Sequence, residues 1–191
     1  MNALLDYFKK DISISLEIEH RLKEIIIEKK LEKGALILSE NSIKKEHIFV
    51  VSGCLRSFYK TEKAKEHTIQ FAVKNWWISD YMTLYTANKS VVAIESLTNS
   101  TVLIISNDKL NEFYKEFPDF EVFQRKNFEK RIAALQTRIL NLLSLTAAEK
   151  YNQFMKNYEV FEKVIPNYQI ASYLGITPQS LSRIRKERVK N

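Results

Sequence analysis

The residues best suited to chemistry lie close together near the C-terminus: Thr177, Gln179, Ser180, Ser182, Arg183, Arg185 and Lys186. Their side chains are amides, hydroxyls and permanent cations, which suit recognition of a polyanion that carries a donor–acceptor code. Presented on one helix, Gln179 can pair with adenine and Arg183 with guanine, each through two parallel hydrogen bonds. Thr177, Ser182, Arg185 and Lys186 suit phosphate contacts, which position a helix without reading sequence. The competing reading is an ordinary solvated basic helix.

Two short helical patterns are placed to present these groups. The first, YQIASYL, ends at Gly175, a residue able to take the left-handed conformation that stops a helix. The second opens with Thr177-Pro178, an N-cap residue followed by one preorganised for the first helical turn. Such a short connection is what a helix-turn-helix requires. Ile170, Leu174, Ile176, Leu181 and Ile184 can form the inner face, and Ala171 is small where the helices approach. The segment from Pro166 onward holds five basic residues and one glutamate, so +4 of the net +7 sits in the last 26 positions. Concentrated positive charge favours a polyanion through counterion release.

Upstream, residues 118–144 read as one long helix following Pro118. Phe128, Ile132, Leu135, Ile139 and Leu142 recur at spacings of 4, 3, 4 and 3. That period keeps a single seam facing a partner helix, and the expectation is a homodimer. The alternative is that the stripe packs on its own domain. Thr146-Ala-Ala-Glu149 is a capping-box pattern that marks a fresh helix start. Residues 158–166 contain β-prone pieces. Residues 31–106 hold apolar runs rich in β-branched residues (ALIL, HIFVV, LRSFY, HTIQFAV, SVVAIESL and STVLIIS), the pattern of a compact antiparallel barrel or sandwich. Residues 1–30 show helical spacing at Leu16, Leu22, Ile25 and Ile26.

Composition narrows the class. A 45% hydrophobic and 28% charged chain with three glycines and three prolines is globular rather than disordered. No run approaches the ~20 apolar residues of a membrane span, and the first residues do not read as a signal peptide. The single cysteine, Cys54, excludes an intramolecular disulfide or an all-cysteine metal site within one chain. A cytoplasmic protein is expected.

The segment IASYLGITPQSLSRIRK is close to the recognition region of Crp/Fnr-type transcription regulators. HIFVVSGCLRSFY followed by HTIQF resembles the strands of that family's β-roll, and AAEKY resembles the start of its DNA-binding domain. The resemblance covers nearly the whole chain. It implies an α+β protein with a cyclic-nucleotide-binding-like antiparallel β-roll in residues 1–117, a dimerisation helix in 118–144 and a winged helix-turn-helix in 145–191. It also implies double-stranded DNA with a near-palindromic operator, a second copy of the chain and RNA polymerase as partners.

The input chemistry transfers less well. Members that bind cyclic AMP use a Gly-Glu pair and a later Arg-Ser pair, whose nearest positions here are Ser79-Asp80 and Lys89-Ser90. Losing the glycine limits close backbone approach, and lysine cannot reproduce a planar two-pronged grip on phosphate. The expectation is therefore no cofactor, and an effector that is unknown and not cyclic AMP. An iron–sulfur cluster needs several cysteines. His20, His47 and His67 show no local pattern for haem, so structural or surface roles are expected for each. Trp76, Trp77 and Tyr81 are expected to pack in the β-roll, with a ligand pocket as the alternative.

Two other classes fit a β-domain. A cupin-like metalloenzyme requires clustered histidines and a carboxylate, but His47 and His67 are isolated. Cys54 lacks a histidine in any recognisable relation to it, so no catalytic residues are assigned. A ligand-sensing or protein-interaction module without operator binding is the other alternative, and the basic terminal helix argues against it.

Overall fold

The computed structural model describes residues 1–86 and 88–190, with side chains described as far as Arg188. In chain order the elements are α1 (Asn2–Phe8), α2 (Leu16–Ile25), β1 (Ile26–Leu31), β2 (Leu36–Leu38), β3 (Glu46–Ser52), β4 (Cys54–Lys60), β5 (Glu66–Val73) and β6 (Trp77–Ile78). They continue as α3 (Tyr81–Tyr85), β7 (Val92–Ser96), β8 (Ser100–Ser106), α4 (Asn107–Glu116), α5 (Pro118–Ser144), α6 (Ala147–Glu162), α7 (Asn167–Leu174) and α8 (Pro178–Lys190).

The apolar runs become the strands of two antiparallel sheets, in which β3 and β8 are covered on both faces. One antiparallel sheet has the order β1-β8-β3-β6 and the other β2-β7-β4-β5. Successive side chains on a strand point to opposite faces. Ile48 and Val50 of β3 and Val102 and Ile104 of β8 accordingly meet Leu55, Ala72 and Ile94 of the second sheet between the two layers. Their neighbours Phe49, Leu103 and Ile105 face outward, where α1, α2, α4 and the start of α5 bury them against Leu5, Phe8, Leu22, Phe113 and Phe120. A strand buried on both sides has no polar face to show, which explains the unbroken apolar stretch Val102–Ile105.

The second sheet is also covered from outside, and here the cover is the C-terminal module. Cys54, Phe71, Val73 and Leu97 share one core with Tyr151, Phe154, Tyr158, Ile165, Ile170, Ala171, Leu174, Leu181 and Ile184. The helix-turn-helix therefore has no core separate from the roll. Polar contacts fix the docking. Ser172 Oγ accepts the Thr68 amide at 2.9 Å and donates to the Glu66 carbonyl at 3.2 Å. Gln169 Nε2 donates to Glu95 Oε1 at 3.3 Å. Glu95 in turn accepts Arg56 Nε at 2.8 Å, and Arg56 Nη2 reaches Glu66 at 2.7 Å. Arg56 is 1% exposed, so this is a buried guanidinium between two carboxylates, with the Phe58 ring 4.2 Å from its carbon.

Three expectations need correction. The helical stretch at the start does not reach residue 30: α2 stops at Ile25, and Ile26 pairs with Ile105 as the first residue of β1. The reason is that β8 has an open edge which residues 26–31 complete, and a strand pairing overrides a short helical pattern. The β-prone residues 158–166 form no strand; α6 continues to Glu162 across a kink at Tyr158, whose ring is buried on Phe71. Among the described residues the C-terminal module is thus three helices with no wing strands. The short elements β6 and α3 lack the length that marks them in a sequence, whereas α4 and its C-cap carry Leu110, Phe113 and Phe117 at helical spacing behind the Ser106 cap.

Candidate nucleic-acid interface and effector pocket

The terminal helices are held by chemistry that the sequence announces. Thr146 accepts the Glu149 amide while Glu149 reaches back to the Thr146 amide at 2.9 Å, a complete capping box at the start of α6. Gly175 closes α7 at φ 65° and ψ 33°, and a Cβ there would press on Leu142 at 3.4 Å. Thr177 Oγ1 then accepts the Ser180 amide at 3.1 Å and donates to Ser180 Oγ at 2.9 Å, capping α8. The two helices meet through Ile170, Ala171, Leu174, Leu181 and Ile184, all buried, with Ile176 partly buried beside them.

With that face inward, Gln179, Arg183 and Lys186 are exposed on the opposite side and Ser182 is half-buried between them. Together with Pro178 they border one shallow surface. Neither Arg183 nor Lys186 takes part in an ion pair among the described residues. Arg185 differs from its expected role. It turns inward, pairs with Glu162, reaches Asn167 Oδ1, and donates to Tyr151 Oη and the Glu162 carbonyl at 3.3 Å. It ties α8 to α6 and α7, because its position falls between the buried Leu181 and Ile184 stripe and the exposed face. Ser180 is likewise spent on the cap.

Along α5, the seam residues divide into two groups. Phe128 is half-buried against Tyr81 and Tyr85, with ring centroids 5.8 and 6.5 Å away, and Leu142 is half-buried near Gly175. Ile132, Leu135 and Ile139 are 57%, 47% and 57% exposed, and Leu143 beyond them is 81% exposed. Among the described residues the middle of the stripe is only partly covered.

A cavity of about 700 Å³ lies where the roll, α5 and α6–α7 meet. Ser79 and Asp80 line it, but Lys89 and Ser90 do not, so the four expected effector residues are not brought together. Ser90 is buried in its own turn, with its hydroxyl donating to the Val92 carbonyl at 2.7 Å. Asp80 caps α3: one oxygen accepts the Met82 amide at 3.0 Å and the other accepts Thr83 Oγ1 at 2.6 Å. Ser79 Oγ donates to the Ile78 carbonyl at 2.7 Å. The cavity's cations come instead from Arg131 and Arg138 on α5 and Lys150 on α6, which no local motif distinguishes in the sequence. Trp77 packs in the helical core against Phe49, with ring centroids 5.1 Å apart, whereas Trp76 and Tyr81 line the cavity.

The remaining candidate residues have ordinary structural surroundings. His47 is buried with Asn107 Oδ1 3.1 Å away, and burial lowers its pKa. His20 is exposed beside Glu24 at 3.3 Å, and His67 is exposed on β5. Burial pushes the Cys54 thiol up to about 12, which keeps it un-ionised near neutrality. Among the described residues no group of three or more His, Cys, Asp or Glu side chains is arranged to hold a metal ion, and no helix is long and apolar enough to cross a membrane.

Residues 28–117 match the cyclic nucleotide-binding domain family. Solved structures extend the similarity to the whole architecture. FixK2 from Bradyrhizobium japonicum is 16% identical with a TM-score of 0.74, covering 87% of this chain and 85% of its own. A CooA variant from Carboxydothermus hydrogenoformans is 21% identical with a TM-score of 0.71 over 92% and 81% of the two chains. A protein from Eubacterium rectale described as a Crp/Fnr-family transcriptional regulator gives 16% and 0.70 over 97% and 88%. No curated protein sequence matches the chain. The class defined by the two-sheet roll, the long helix and the terminal helices is a cyclic-nucleotide-binding-like domain joined through a long helix to a helical C-terminal module. Within that class, the chain has the fold of the Crp/Fnr-type transcription regulators.

Proposed function

We propose that this chain is a sequence-specific DNA-binding transcription regulator that works as a homodimer in the cytoplasm. The observation that carries the reading is the exposed face of α8, where Gln179, Arg183 and Lys186 stand together above a fully buried inner face. A helix so held can lie in a major groove with its first residues against base edges. Gln179 and Arg183 are assigned to bases, and Thr177, Ser182 and Lys186 to phosphates. Arg185 is withdrawn from the contact set because its guanidinium is committed within the module. The exposed middle of the α5 stripe supports pairing with a second copy through Ile132, Leu135 and Ile139. Two such copies would address a near-palindromic operator, and RNA polymerase would be the partner that reads the outcome.

The fold of the neighbours supports a regulator rather than an enzyme. Gel-shift titration of the purified chain against promoter-containing fragments tests the reading. Retarded, competitor-resistant complexes on a subset of fragments are expected. Equal retardation of all fragments, or none with or without cell extract, would overturn it in favour of a sensing or interaction module.

A further inference from the structure

Between Ile132 and Leu140 every residue of α5 is exposed except Arg138, which is half-buried. Its side chain crosses from the long helix to two other elements. Nη1 donates to the Ile69 carbonyl of β5, and Nη2 donates to the Tyr173 carbonyl of α7 at 3.2 Å. The guanidinium carbon lies 4.1 Å from the centre of the Tyr173 ring. One planar group thus joins α5, the roll and the first helix of the helix-turn-helix. Tyr173 is in the last turn of α7, where carbonyls have no partner inside the helix and the helix dipole favours a cation. The fork of a guanidinium holds both carbonyls at once, which a lysine ammonium on its flexible stem does not. The ring of Tyr173 is wedged against Phe71 and Tyr158, with centroids 5.2 and 5.9 Å away.

The same face of α5 reaches the turn itself. Leu142, one helical turn beyond Arg138, lies against Gly175, where a Cβ would sit 3.4 Å from it. Lys150 of α6 donates to the Leu142 carbonyl at 2.9 Å and joins α6 to that point. Only Ile176 and Thr177 separate Gly175 from the start of α8. Ile139 follows Arg138 in the chain, about 100° round the helix, and is 57% exposed on the stripe proposed to meet a second copy. The path from that stripe to the recognition helix therefore runs through Arg138, Tyr173 and the turn. We propose that Arg138 is a positioning residue, which fixes α8 relative to α5 and so sets the separation of the two recognition helices in a dimer. The proposal rests on the dimer of the proposed function and, for its consequence at operators, on the DNA binding. One base pair more or less between half-sites shifts the target by about 3.4 Å and turns it by about 34°. Helices held at a fixed separation do not follow that shift.

The first measurement uses the full chain without DNA. Glu187, exposed on α8, is replaced (Glu187→Cys) and spin-labelled, while the native Cys54 is buried and un-ionised. Pulsed electron double resonance then reads the distance between the two recognition helices of a dimer. A single narrow distribution is expected. Adding Arg138→Met should broaden it, and Arg138→Lys, which keeps the charge without the fork, should restore the narrow form only in part. The second measurement is a gel shift on an operator selected from random duplex DNA, with its half-sites moved together or apart by one base pair. Affinity of the unmodified chain should fall about tenfold or more on the shifted operators, and that of Arg138→Met about threefold or less. A loss of stability alone would weaken binding at every spacing by the same factor. Should Arg138→Met not fold, Leu142→Ala carries both measurements. A broad distribution or no dipolar signal in the parent overturns the inference, as does unchanged width in the folded variants. If no DNA is bound while the distribution broadens as described, the operator reading fails and the positioning of α8 by Arg138 is supported.

Discussion

Ser172 on α7 accepts the backbone amide of Thr68 on β5 at 2.9 Å, bonding the first helix of the helix-turn-helix directly to the roll. The two residues are 104 positions apart, and Thr68 is 4% exposed. The Gln169–Glu95–Arg56 chain runs parallel to this bond, and Phe71 and Tyr158 fill the space between. Any movement of α7 relative to the roll must break these bonds and expose Phe71, Val73 and Leu97.

Ser172→Ala should therefore leave the Thr68 amide buried without an acceptor. The expected cost is about 1–3 kcal/mol, measured by urea unfolding, with faster exchange of the Thr68 amide hydrogen than of its neighbours on β5. An unchanged midpoint and unchanged exchange would mean that the module is not held at this point.

Arg56→Leu should destabilise more severely, by about 3–5 kcal/mol, because Glu66 and Glu95 then face each other without their shared cation. Changing Glu66 and Glu95 to Gln in the same chain should recover part of the loss, which thermal unfolding of the single and triple variants would read.

His47 gives the stability a defined pH dependence. Burial holds its folded pKa below the ordinary value of 6.5, so the unfolded chain takes up the proton first as the pH falls. Its contribution is fully present above the unfolded value and is lost as the pH falls from there through the folded value. Wild-type stability should decline across that window, and His47→Gln should flatten the slope. An equally steep decline in the variant would place the proton uptake elsewhere.

On the exposed stripe of α5, Ile132→Asp combined with Leu135→Asp should give a monomer by sedimentation, with weak operator affinity. A dimer of undiminished affinity would move the interface off this seam.

What could be read in the sequence follows from how local each signal is. The Thr146–Glu149 box, the Gly175 stop and the Thr177 cap are all made within four residues, and each was legible from residue types alone. The β-roll was legible for the same reason, since β-branched runs mark strands wherever both faces are buried. Strand β1 was not, because Ile26–Leu31 owes its state to β8, which lies about 75 positions away. The cavity could be foreseen only in part: Trp76, Ser79, Asp80 and Tyr81 fall in it, but its cations come from the smooth middle of α5 and from α6. Arg185 shows the limit within a motif, for sequence places it on α8 but only packing turns it toward Glu162.

Two arginines two positions apart should separate recognition from structure, since Arg183 is exposed and Arg185 is paired with Glu162. Arg183→Ala should cost about 1–3 kcal/mol of operator affinity and relax preference at one base position, leaving stability unchanged. Arg185→Ala should lower the stability of the C-terminal module, since it empties the junction with Glu162, Asn167 and Tyr151. Uniform weakening of Arg183→Ala across all sequences would reassign that residue to phosphate contact.

Selection of bound sites from random duplex DNA with the purified chain, followed by footprinting of the winners, tests the central claim most directly. The account predicts an enriched near-palindrome with two protected half-sites centred about 34 Å apart on one face of the duplex. Recovery of no common sequence, or of a single isolated half-site bound by one chain, would contradict it.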